Sequence, residues 1–90
     1  MHKLHKILKQ IYKELEAAED YMYCAANSES DIKDTYKTIA REEVNHAERL
    51  IALCNRHIGT DNDMKVIWEF EREQITERLM HDKAKMSHID

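Results

Sequence analysis

Between residues 3 and 26 the apolar side chains recur at alternating spacings of four and three: Leu4, Leu8, Ile11, Leu15, Ala18, Met22 and Ala25. That interval follows the turn of an α-helix and cannot alternate across a strand, so it predicts one long helix with a single buried stripe. The same rhythm returns over residues 31–57. There Ile32, Tyr36, Ile39, Leu50 and Leu53 run beside a second line of Ala40, Val44, Ala47, Ile51, Cys54 and Ile58. It returns again over 63–85 with Met64, Ile67, Trp68, Ile75 and Leu79. No proline interrupts these runs, and the single glycine, Gly59, falls just after the second, where a helix end favours it. Asn27-Ser28-Glu29-Ser30 reads as the other turn, with Asn27 ending one helix and Ser28 or Ser30 capping the next. Thr60-Asp61-Asn62-Asp63 offers caps for the third helix, and the tail after Lys85 is expected to fray. The predicted fold is all-α: one helical domain over 1–90, an antiparallel hairpin followed by a third helix.

A 90-residue chain lies near the size at which one core is only marginally stable. With 36% charged residues, its helices keep richly polar outer faces, so pairing with a second copy is the expected way to complete the core. The net charge of −4 argues against nucleic acid, and Lys3, Lys6, Lys9 and Lys13 read as a solvated strip. No apolar run approaches the roughly 20 residues of a membrane span. The start, Met1-His2-Lys3-Leu4-His5-Lys6, lacks the apolar centre of a signal peptide, so a cytoplasmic location is expected. Cys24 and Cys54 fall near opposite ends of such a hairpin, too far apart to bridge, and read as reduced thiols.

Three polar residues break the apolar lines. Glu14 sits among Ile7, Ile11, Ala18 and Tyr21, while Glu43 and His46, one turn apart, sit between Ile39 and Leu50. In a hairpin turning near residue 29, positions whose numbers sum to about 58 lie level, because both helices rise equally per residue. Glu14 is then level with residue 44, between Glu43 and His46. Glu16 and Glu19 fall instead on the wetter side of helix 1.

Buried polar groups without partners cost roughly 2–7 kcal/mol each, and charges more. Either the three bind a metal ion or they bond to one another as the polar core of a non-catalytic helical oligomer or adaptor, setting its register. Carboxylate and imidazole donors without thiolate suit iron, with manganese or zinc as alternatives. One chain offers two carboxylates and one imidazole, whereas di-iron sites in four-helix carboxylate proteins use four and two. Twofold pairing of two hairpins would supply that set. Glu71, in the third stripe seven residues before Arg78, reads as a plain ion pair or partly exposed residue, with an accessory carboxylate as the alternative. Tyr21 and Tyr36 read as core residues able to bond a ligand carboxylate.

The runs from Glu14-Leu15-Glu16 to Tyr21, then Ile39-Ala40-Arg41-Glu42-Glu43-Val44-Asn45-His46-Ala47, resemble the ferritin-like superfamily on its rubrerythrin side. The resemblance spans residues 12–58. This chain has one such hairpin and none of the cysteine pairs of a rubredoxin module, which makes it most similar to the short encapsulated ferritin-like proteins. The resemblance implies a ferritin-like four-helix bundle made by two subunits, a homodimer or larger ring, with a di-iron ferroxidase centre between them. It implies Glu14, Glu43 and His46 as catalytic iron ligands, two ions per subunit pair, with Glu16 near the metal's access route and Tyr21 as accessory residue. The reaction would be oxidation of Fe(II) by oxygen or peroxide, with a rubrerythrin-like peroxidase as the alternative. The end, Lys85-Met86-Ser87-His88-Ile89-Asp90, departs from the apolar peptide that addresses such proteins to an encapsulin shell, so residence in a nanocompartment is left open.

Overall fold

The structure is a computed structural model that describes residues 2–58 and 62–89. It contains three helices, α1 (His2–Ala26), α2 (Ser30–His57) and α3 (Asn62–Ser87), and no strand among the described residues. The all-α expectation holds. The capping roles expected of Gly59, Thr60 and Asp61 lie outside the described residues. Among the described residues no helix is long and apolar enough to cross a membrane.

α1 buries its whole predicted stripe, with Ile11, Leu15, Ala18 and Ala25 fully enclosed. α2 meets it with the second of its two lines: Ala40, Val44, Ala47, Cys54 and Ile58 are buried. Two alanines in that line let the helix backbones approach closely, since interaxial distance follows the side chains at the contact. The other α2 line stays half-buried, and its first member, Ile32, is 58% exposed.

The position of α3 explains this asymmetry. It runs parallel to α1 at a constant offset of 59 residues, with the Tyr12 hydroxyl donating to Glu71 and Arg78 donating to Glu19. Against α2, Trp68 Nε1 donates to Asn55 Oδ1 at 2.7 Å and Lys83 pairs with Glu48 at 2.7 Å. Trp68, Ile75 and Leu79 fill the groove beneath. On a helical wheel Tyr12 and Glu19 lie to one side of the α1 stripe, and Ile7, Glu14 and Tyr21 lie to the other. α3 therefore covers one flank of the hairpin and leaves its opposite flank open. Glu19, expected on a wet surface, is half-buried beneath α3, while Glu16 remains exposed.

The helix ends correct two expectations. Ser28 does not cap α2; its hydroxyl donates back to Cys24 O at 2.6 Å, and the Asn27 amide donates to Tyr23 O, so both close α1. Glu29 opens α2 in an extended conformation without a side-chain cap, leaving Asp31 in the first turn to face the helix dipole. The tail does not fray at Lys85. α3 continues to Ser87 because Met86 and Ile89 pack against the core. Both cysteines are free, and burial pushes the Cys54 thiol up to about 11, which keeps it an inert core residue.

Candidate metal centre

Glu14 from α1 and Glu43 and His46 from α2 converge on the open flank. One donor atom from each lies within 4.8 Å of the others. His46 Nδ1 is 3.6 Å from Glu14 Oε2 and 4.0 Å from Glu43 Oε1. The convergence follows from equal helical rise on both sides of the turn and from the one-turn spacing of Glu43 and His46. These separations exceed hydrogen-bond length. They match ligands around one ion, because atoms held about 2.0–2.2 Å from a metal sit roughly 3–4 Å from one another.

Electrostatically the cluster is short of positive charge. Glu14 Oε2 is fully buried and has no hydrogen-bond partner among the described residues. The Glu43 carboxyl is raised above its ordinary range, first by the Glu14 carboxyl beside it, then by burial, with His46 opposing. Two carboxylates crowded in this way are relieved by a cation between them. The imidazole, half-exposed, opens the cluster to solvent.

Around it lie the half-buried apolar residues of the same flank, Ile7, Ile39, Leu50 and Leu53. Tyr21 and Tyr36, one from each helix, pack with ring centroids 5.9 Å apart. Neither hydroxyl bonds a carboxylate among the described residues, so Tyr21 contributes packing and no donor to the cluster. Glu16 is exposed and does not join it. Glu71 stands on the other flank, held by the Tyr12 hydroxyl. That hydroxyl is pushed up to about 12 by burial and by its bond to Glu71. Glu71 is partly buried, one of the outcomes expected of it; Arg78 binds Glu19 instead, through two hydrogen bonds of 2.6 and 2.7 Å.

A second polar cluster was missed from sequence. Asp82, only 2% exposed, lies buried beside the Glu19–Arg78 pair. Burial, then the neighbouring Glu19 carboxyl, raise its own carboxyl to about 7, whereas Arg78 holds Glu19 below its usual range. The signal was present, since Asp82 continues the Ile75–Leu79 stripe at the next helical step.

No family model, curated protein or solved structure matches this chain. What the cluster can do rests on its own geometry and donor chemistry.

Proposed function

We propose that two copies of the chain pair through the flank left open by α3 and share a di-iron carboxylate centre that oxidises Fe(II). The observation that carries this reading is Glu14 Oε2, an oxygen enclosed without a donor, 3.6 Å from an imidazole nitrogen and beside a second carboxyl. Removing such a group from water is costly, and a cation is the partner its neighbours leave room for. The donor set fits iron, with manganese or zinc as chemically allowed alternatives.

Pairing follows from what one chain lacks. A single Glu14, Glu43 and His46 leave an ion under-coordinated and half-exposed, whereas two copies supply four carboxylates and two imidazoles. The half-buried apolar residues around the cluster, including Ile39 and Leu50, provide the surface for a twofold contact, which would complete a four-helix bundle. The resemblance of residues 12–58 to encapsulated ferritin-like proteins supports the same arrangement, and allows dimers to build a larger ring.

In this site Glu14 and Glu43 would hold and neutralise the ions, and His46 would complete the donor set. Two ferrous ions supply two electrons; with two protons these reduce dioxygen to hydrogen peroxide, or one hydrogen peroxide to two waters. The test is metal content measured together with solution mass. About one ion per chain in an even-numbered oligomer is expected. A metal-free monomer after exposure to Fe(II) would overturn the proposal. Glu14→Ala and His46→Ala should each abolish stoichiometric iron binding and Fe(II) oxidation.

A further inference from the structure

The groove that opens onto Glu14 and His46 is bordered by cations. Gln10 and Lys13 of α1 face Arg49 and Leu50 of α2 across it. In the single chain Lys13 and Arg49 are exposed, and neither has an ion pair or hydrogen bond among the described residues, whereas Arg78 and Lys83 pair with Glu19 and Glu48. Sequence spacing explains why Arg49 is left alone. The positions three and four away on its helix are Asn45, His46, Ala52 and Leu53, none of them acidic.

Charge balance gives these cations a purpose. Two divalent ions and the four carboxylates of a subunit pair sum to zero. Two copies of Lys13 and Arg49 then leave four positive charges at the margin of the centre, and oxidation of the ions to the trivalent state adds two more. On the reading that the cluster is a shared metal centre, we infer that Lys13 and Arg49 make this groove a receptor for a tetrahedral oxyanion of the phosphate class. The guanidinium fork matches two phosphate oxygens, the ammonium adds a point charge from the facing helix, and the Gln10 amide can donate beside them. Without metal, the bare charges of Glu14 and Glu43 repel an anion. Occupancy of the groove is therefore tied to metal loading.

The experiment is equilibrium dialysis of the full chain with Mn(II) and labelled inorganic phosphate, at constant ionic strength set by chloride. Mn(II) replaces iron to avoid ferric phosphate precipitation. The Mn(II)-loaded protein should bind phosphate saturably and the metal-free protein should not. The double substitution Lys13→Gln/Arg49→Gln, at exposed positions, should keep its Mn(II) content and weaken phosphate binding by at least roughly tenfold, the loss expected when charge-assisted hydrogen bonds are removed. Phosphate bound equally without metal, or equally by the double variant, overturns the inference. So does Mn(II) binding with no phosphate uptake. A double variant that dissociates into monomers, with no phosphate bound by the parent, assigns both cations to carboxylates of the second copy and also overturns it. A parent that takes up no Mn(II) removes the metal-centre reading itself, and so the two failures are told apart.

Discussion

Glu14 Oε2 and His46 Nδ1 face each other across the α1–α2 interface at 3.6 Å, and no hydrogen-bond donor reaches that carboxylate oxygen. A group in this state weakens the fold unless something binds it. Replacing it with an apolar residue of similar size, Glu14→Leu, should therefore stabilise the metal-free chain by about 1–3 kcal/mol, the cost of one buried unsatisfied group. Urea unfolding in chelator measures this, and a loss of stability would mean that the carboxylate is already satisfied.

Metal should reverse that ranking. A ligand present at a hundred times its dissociation constant stabilises the state that binds it by about 2.7 kcal/mol. Thermal unfolding of the parent should rise accordingly with anaerobic Fe(II) or with Mn(II), while His46→Ala and Glu14→Leu stay where chelator leaves them. Equal responses from parent and His46→Ala would place the metal elsewhere.

The open flank makes its own prediction. Ile39 is half-buried on the side of α2 that α3 does not cover. Ile39→Glu should turn a dimer into a monomer in light scattering while leaving helical circular dichroism unchanged, because the residue supports neither α1 stripe nor α3 contact. The same variant should lose metal with its partner. A variant that remains dimeric would move the interface to another face.

Asp82 and Glu19 predict opposite pH trends. Asp82 keeps its proton to about 7 when folded, against an ordinary value of 3.8, so the folded chain holds a proton that the unfolded chain has released. Its contribution to stability is full below about pH 4 and declines as pH rises toward 7. Glu19, held low by Arg78, contributes stability above the ordinary carboxylate range and loses it on acidification. The parent should thus be most stable between these limits. Asp82→Asn keeps the size of the side chain and removes its titration. It should abolish the decline above pH 5 and exceed the parent at pH 8 by about 1–3 kcal/mol. Melting temperature across pH 4–9 checks both limbs; a variant with the parent's slope above pH 5 would exclude Asp82 as the source.

Much of this arrangement was readable before any coordinates. The four-and-three stripe of α1 is buried as written, because helical period and hydrophobic burial are local rules that a single sequence obeys throughout. The depth rule brought Glu14 level with Glu43 and His46, since two helices joined by a short turn must rise together. Ser28, Lys85 and Glu19 were misread for another reason. Each depends on a competitor outside its own periodicity: the last-turn carbonyl of Cys24, a hydrophobic seat for Met86 and Ile89, and the guanidinium of Arg78.

The linear chain by itself determined three helices, their apolar stripes and the convergence of one imidazole with two carboxylates. Only the tertiary structure decided which flank α3 covers, because α2 carries two apolar lines that pattern alone ranks equally. α3 settled on the Tyr12 and Glu19 side, where Glu71 and Arg78 find partners at a matching offset and Trp68 finds Asn55. That choice left Glu14, Glu43 and His46 on the uncovered side.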